Sequence, residues 1–175
     1  LPGSRCSAPA VLAFLEQDAV RRRFDLDEDG LATIRRWLRE AGIRWALDQE
    51  QRRQQGLDMD DLHSWAFGMR RLFLGYFSGF DAPLFKGIAP CGPISAGDGV
   101  LLGRLAEILE RLRQAGRSLS AEQTPAAWAE ALLGLLADFF DPGDSEEAQQ
   151  SLQSLREAIC ALADDCRSGG VSGPL

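Results

Sequence analysis

Apolar residues recur every three or four positions along almost the whole chain, and two-residue alternation is too scarce to support a substantial sheet. The pattern predicts an all-α fold, an irregular bundle of about six to eight helices. Two short helices are expected over 10–16 and 18–24. Asp27, Glu28 and Asp29 then put carboxylates where a helix start favours negative charge, and Leu31, Ile34, Leu38 and Ala41 follow as a stripe that stops at Gly42. A short polar helix over 48–55 ends at Gly56. A longer one over about 62–77 carries Trp65, Met69, Leu72, Phe73 and Tyr76 at three- and four-residue spacings, which marks it as a core helix.

The segment 78–99 breaks this rhythm with five glycines and three prolines and reads as a long connecting loop, of a length that usually serves function or a partner. Three helices follow. The first, 100–114, presents Leu101, Leu105, Ile108 and Leu112; the second, 125–140, starts on Pro125 with Thr124 as its cap and presents Trp128, Leu132, Leu135, Leu136 and Phe139. The third, 145–166, presents Ala148, Leu152, Leu155, Ile159 and Leu162. Packing these three against the earlier helices is the simplest way to bury every stripe. The expected organisation is one helical domain over 1–166, with 1–77 and 100–166 as the alternative division, and a linker-like Gly/Ser/Pro tail over 167–175.

The 175 residues are 45% apolar and 26% charged, enough to build a full core without disulfides or metals. Both methionines are internal and the chain opens on Leu1, so it is expected to be a piece of something longer. No apolar run approaches the length a membrane span requires, which leaves a soluble, cytoplasmic setting as the expectation. Cys6, Cys91, Cys160 and Cys166 contain no C-x-x-C pair, and with His63 as the single histidine they give no zinc-ligand pattern. They are expected to be small buried or half-buried side chains in a reducing compartment, with a redox pair as the alternative.

Charge is uneven. Residues 1–86 carry thirteen basic and thirteen acidic groups, whereas 87–175 carry six basic and thirteen acidic, so the whole formal charge of −7 belongs to the second half. Eighteen of the nineteen basic residues are arginine, clustered as Arg21-Arg22-Arg23, Arg35-Arg36, Arg52-Arg53 and Arg70-Arg71. Such clusters read as solvated helix faces with intrahelical ion pairs, and an acidic chain is a poor non-specific DNA binder because that affinity follows cation density.

The motif search mostly removes chemistry. Residues 25–30 begin an EF-hand loop, with carboxylates at its first, third and fifth positions and glycine at the sixth, but its twelfth position is Arg36, a cation where calcium needs a bidentate carboxylate. An acidic turn capping the next helix is the expectation, with a calcium-linked module as a lesser alternative. Lys86 is the only lysine and follows Phe85, so neither a P-loop nor an Asp/Glu-x-Lys nuclease site can be assembled. There is no G-x-S-x-G or H-E-x-x-H, and His63 is expected in a surface or capping role. Two aromatic segments remain, 42–48 and 64–76. Their tryptophans and arginines, Arg44 beside Trp45 and Arg70 with Arg71 on the Trp65 helix, can stack and hold single-stranded bases or can be core tryptophans covered by arginines.

These two segments, Gly42-Ile43-Arg44-Trp45-Ala46-Leu47-Asp48 and Ser64-Trp65-Ala66-Phe67-Gly68-Met69-Arg70-Arg71-Leu72-Phe73-Leu74-Gly75-Tyr76, together with Val20-Arg21-Arg22-Arg23-Phe24-Asp25-Leu26-Asp27-Glu28-Asp29 and Leu102-Gly103-Arg104-Leu105-Ala106-Glu107, resemble the gamma chain of bacterial exodeoxyribonuclease V, the RecC family. The resemblance runs through most of residues 10–160, in order. Ala46 stands where the family usually has glycine, Ala66 where it has arginine, and Cys91 where it has an aromatic. It implies a fragment from the helical insertion of the second helicase-like half of a non-catalytic subunit that has lost ATP hydrolysis. In that family the subunit holds the two motor subunits, the beta and alpha chains, together, splits the duplex, channels the single strands and recognises the recombination hotspot. The expectation is therefore no catalytic residue, no cofactor and no metal, DNA contact only within the complex, no membrane, and Arg44, Trp45, Arg70 and Arg71 as candidate contacts to DNA or a partner. A free-standing helical adaptor that binds through 78–99 is the alternative.

Overall fold

A computed structural model describes residues 4–170 and Gly173. Among them are eight α-helices: α1 Ala8–Leu15, α2 Asp18–Arg23, α3 Glu28–Glu40, α4 Gln49–Gln54, α5 Trp65–Ser78, α6 Gly99–Ser118, α7 Pro125–Phe139 and α8 Glu146–Ser168. A single 3₁₀ turn, Ala96–Asp98, leads into α6, and the only strand-like feature among the described residues is one antiparallel bridge between Phe85 and Ile88. The fold is all-α. No described helix is long and apolar enough to cross a membrane.

Most helix starts are written in the sequence as capping side chains. Asp27 accepts from the Gly30 amide at 2.7 Å, Asp48 from Gln51 at 2.9 Å and Ser64 from Phe67 at 3.1 Å, each satisfying an amide that the first turn leaves without a partner. The Ser64 cap moves the start of α5 from the expected 62 to Trp65, and Leu62 is left exposed in the preceding turn. At the other end of the chain, α8 runs on through Ser168, so helix extends into the expected tail; residues 171, 172, 174 and 175 of that tail lie outside the described residues.

The core is built on α3, α5 and α6. Leu31, Ile34 and Trp37 of α3, Trp65 and Leu72 of α5, and Leu102, Leu105 and Ile108 of α6 are all essentially inaccessible. Burying a side chain of this size contributes about 1.5–3 kcal/mol, so this centre supplies the main driving force for the fold. Residues from both sides of the 78–99 segment belong to the same apolar cluster.

The amphipathic period misled in one region. The α8 stripe was expected in the core, yet Ala163 is the only buried residue of that helix; Leu155 is 48% and Leu162 64% exposed. The principal packing partner of α8 is α7, which in turn meets α2 and α6. Phe139 of α7 does reach the core, in edge contact with Phe14 (ring centroids 5.6 Å apart) and beside Phe24 (6.0 Å). The hairpin is thus seated at its turn and extends from there with much of its apolar surface uncovered.

Candidate nucleic-acid or partner interface

The four residues singled out in the sequence lie along the junction of the 42–48 segment with the turn before α5 and with α5 itself, but the structure does not gather their side chains into one cluster. Gly42, in the left-handed region at φ +71°, turns the chain out of α3, and its carbonyl sits 2.8 Å from His63 Nδ1. The Arg44 amide donates to the His63 carbonyl at 2.9 Å, and the Arg44 carbonyl accepts from Ala8 at 2.7 Å. His63 is exposed and holds this turn; the cap of α5 is its neighbour Ser64. Ala46 is buried at φ +66°, a conformation that favours glycine.

The four side chains have different surroundings. Trp45 is half-buried, with the Arg52 guanidinium 4.4 Å from its ring centroid, so one stacking face is already occupied. Arg71 donates from Nη1 to the Ala41 carbonyl at 2.9 Å and from Nε to the Ala89 carbonyl at 3.1 Å, joining the end of α3 to the 78–99 segment. Arg70 is exposed, paired with Asp61 and 5.8 Å from the Phe67 ring. Arg44 is exposed and, among the described residues, its side chain has no hydrogen-bond partner. It stands with Arg35 and Arg39 around an open groove of about 660 Å³ whose floor is Ala8, Leu12, Leu38 and Ile43. Arg35 is held by Glu16 at 2.6 Å, so Arg39 and Arg44 are the two guanidinium groups that edge this apolar floor without an ion pair among the described residues.

Two glycines explain why the α5 motif is spaced as it is. A Cβ on Gly68 would lie 2.1 Å from Ile43 Cγ1, and a Cβ on Gly75 would lie 1.7 Å from the Cys91 carbonyl oxygen. Seven residues apart, they let α5 clasp the 42–48 segment with one turn and the long loop with another. The Cys91 amide in turn donates to the Arg71 carbonyl at 2.9 Å. Burial is the main cause that pushes the Cys91 thiol above the ordinary range.

Sequence reasoning missed the principal arginine. Arg52 was expected on a solvated face, but it is 1% exposed; it donates to the carbonyl of Asp60, to that of Leu62 at 2.8 Å and to that of Trp45 at 3.4 Å. Six other arginines also bond main-chain carbonyls. Arg22, Arg23 and Arg111 meet Asp141, Ala137 and Asp138 at the end of α7, where positive charge is favoured by the helix dipole. Arg21 and Arg104 reach Leu26 and Asp25, and Arg71 has been described above. No sequence periodicity distinguishes these arginines from solvated ones.

The acidic turn over 25–30 is used structurally. Asp27 caps α3, Glu28 pairs with Arg21 at 2.6 Å, and Asp25, at φ +48°, pairs with Arg104 at 2.5 Å. No group of three or more His, Cys, Asp or Glu among the described residues could hold a metal ion. Cys6 and Cys91 are buried as expected and Cys166 half-buried, but Cys160 is exposed, because the α8 face that carries it is not packed against the core.

Comparison with known proteins places these features in one family. The model for the RecBCD enzyme subunit RecC fourth domain matches residues 1–175. The chain is 34% identical over 152 residues to the RecBCD enzyme subunit RecC of Escherichia coli K12, covering 87% of this chain and 14% of that protein. It is 37% identical over 134 residues to the RecC subunit of Mycolicibacterium smegmatis (75% and 12%), and 28% identical over 168 residues to that of Haemophilus influenzae (96% and 14%). The chain thus spans about one seventh of the length of these relatives. It belongs to the RecC fourth-domain family.

Proposed function

We propose that this chain is a non-catalytic structural domain of a RecC-type subunit, acting within a DNA helicase/nuclease complex in recombinational repair of double-strand breaks. The observation that carries this reading is the family match along the whole chain. The arrangement of arginines supports it: seven of them tie main-chain carbonyls, which makes a stiff framework of the kind that a strand-guiding wall requires. The partners are the beta and alpha chains of the complex, with DNA contacted only in the assembled state. Within the site, Arg44 and Arg70 are the members that contact DNA or a partner, since they are exposed, while Trp45 and Arg71 hold them in place. The domain is one helical unit that runs on to the end of α8 at Ser168, and duplex splitting, strand channelling and hotspot recognition are properties of the whole subunit.

The test uses the full-length parent assembled with its beta and alpha chains. Arg44→Glu combined with Arg70→Glu should weaken binding of a forked duplex, measured by fluorescence anisotropy, while the complex still assembles on a sizing column. The isolated chain should bind a short single strand weakly, because its first half is neutral and its second half carries −7. ATP or DNA turnover by the isolated chain, or unimpaired unwinding by a complex from which this domain is deleted, would overturn the reading. A second surface also fits partner contact: Phe77, Phe80, Leu84 and Phe85 on and beside the long loop are each more than half exposed.

A further inference from the structure

The open groove between α1 and α3 is lined by cations and by no anion. Arg35, Leu38 and Arg39 stand at i, i+3 and i+4 on one face of α3, Ala8 and Leu12 at i and i+4 on α1, and Ile43 and Arg44 close one end, where the Arg44 carbonyl accepts from the Ala8 amide at 2.7 Å. No Asp or Glu is among the lining residues. Glu16 neutralises Arg35 at 2.6 Å, and Glu40, although next to Arg39 in sequence, sits close enough to Cys91 for its charge to help raise that thiol and does not line the groove. Arg39 and Arg44 are both exposed, so two unpaired guanidinium groups flank an aliphatic surface.

Charge and shape select the chemistry of the occupant. A nucleic-acid strand gains from many cations acting together and from flat faces on which bases stack, whereas here two free cations stand beside aliphatic side chains, in a chain of net charge −7, and no aromatic residue lines the groove. A polypeptide segment that carries an aliphatic side chain with a carboxylate beside it uses both features, the first against Leu12, Leu38 and Ile43 and the second in a forked bond to a guanidinium. Size selects its source. Eight residues line the groove, against the roughly 20–30 a side that hold separate chains together. A segment tethered to this domain needs far less contact, because its effective concentration is already high, and this chain is about one seventh of the length of its RecC relatives, so most of the protein around it is the same polypeptide.

We propose that this groove docks an acidic segment of the parent polypeptide from outside these 175 residues, with an aliphatic side chain against Leu12, Leu38 and Ile43 and Asp or Glu paired with Arg39 and Arg44. The inference rests on the reading of the chain as one domain of a longer subunit, gives Arg44 that subunit itself as its partner, and leaves the strand to Arg70.

The test places a photo-crosslinking amino acid at position 9, an exposed lining position, in the full-length parent assembled with its partner subunits, and maps the cross-linked peptide by mass spectrometry. The expected product joins position 9 to a peptide of the same polypeptide outside these 175 residues, with Asp or Glu beside an aliphatic side chain. Arg39→Glu should then lower the yield of that product at least about tenfold, and exchanging the mapped carboxylate for arginine in the Arg39→Glu background should restore it, which a merely misfolded groove would not allow. Arg39 is exposed, so circular dichroism should show the same helix content in the variant. A cross-link to a different subunit, to DNA when a forked duplex is present, to a segment without an acid, or to nothing beyond these residues overturns the docking site, as does a charge exchange that restores nothing. A complex that still assembles and binds the duplex in any of those cases leaves the functional reading standing, whereas the expected cross-link in a parent that assembles with no subunit upholds the docking site and overturns that reading.

Discussion

Arg52 and Arg53 are neighbours on α4 with the same helix propensity, and their replacement by methionine should have very different consequences. Arg52 is 1% exposed, bonded to the carbonyls of Asp60, Leu62 and Trp45 and stacked on Trp45; Arg53 is half-exposed and meets Glu50 at 3.4 Å across one turn. Methionine keeps the helix propensity and much of the stem, so the substitution removes the guanidinium and little else. A hydrogen bond from a charged donor contributes about 1.5–3 kcal/mol, which puts the two shorter bonds at about 3–6 kcal/mol, and the stacked cation adds about 1–2 kcal/mol. Against this stands the desolvation of an ion held without a carboxylate, several kcal/mol, which methionine avoids. The difference, set against carbonyls left unsatisfied in the Arg52→Met protein, is a loss of about 3 kcal/mol; Arg53→Met should stay within about 0.5 kcal/mol. Urea denaturation followed by circular dichroism reads this directly. With a slope of about 2 kcal/mol per molar urea, the Arg52→Met midpoint should fall by about 1.5 M and the Arg53→Met midpoint by about 0.25 M or less. Arg52→Lys should fall nearly as far as Arg52→Met, because an ammonium cannot span several carbonyls as a planar fork does. Equal midpoints for Arg52→Met and Arg53→Met would refute the assignment of Arg52 as the clamp of the 56–63 turn.

Three further outcomes follow from the packing. Gly75→Ala should destabilise by about 2 kcal/mol or more, since a backbone carbonyl blocks the new methyl, whereas Gly134→Ala, with open space around it, should stabilise by about 0.5–1 kcal/mol; thermal melts of the two should move in opposite directions. Trp65→Ala should cost about 3–5 kcal/mol, because the ring is buried and its Nε1 donates to the Cys6 carbonyl at 2.8 Å, while Arg70→Ala at an exposed pair should stay within about 0.5 kcal/mol by the same assay. Cys160 should be alkylated rapidly by iodoacetamide in the native state with Cys91 protected; and because burial raises the Cys91 thiol, its stability contribution is complete below the unfolded thiol's range near pH 9 and is lost as pH rises through the folded value, a slope that Cys91→Ala should remove from a stability-against-pH curve.

Most helix positions were legible because they rest on local chemistry: the carboxylates over 27–29, the Thr124 cap, the stops at Gly42 and Gly56, and the stripes of α3, α5 and α6; the Ser64 cap went unread, and the start of α5 was placed three residues early. The fate of the arginines was not legible in the same way. Arg52 and Arg53 look alike in sequence, and only the turn over 56–63, which brings the Asp60 and Leu62 carbonyls back toward α4, makes one of them a buried clamp. The glycines of α5 were visible as a motif, but their purpose depends on Ile43 and Cys91, 25 and 16 residues away in the chain. Ala46 shows the converse: nothing local in the sequence announces the left-handed backbone found there, which favours glycine, and the buried methyl of the alanine offsets part of the strain.

A helical stripe reports which face of a helix avoids water, and it is silent on what covers that face. In α3 and α6 the cover is the rest of this chain; in α8, whose stripe reads equally well, most of it is missing. Charge separates the two cases. The α3 helix buries its apolar stripe and keeps a mixed polar face, Arg35, Arg36 and Arg39 beside Glu28, Asp29 and Glu40, and the same helix lends Arg35 and Arg39 to the groove around Arg44. The α7–α8 hairpin instead leaves its apolar stripe uncovered and carries ten acidic and two basic side chains over 121–170, five of those acids, Asp138, Asp141, Asp144, Glu146 and Glu147, at or beside the turn between the two helices. The −7 of the whole sequence therefore belongs to the hairpin, and the residues that line the hairpin's groove are distinct from those of the arginine-edged groove around Arg44.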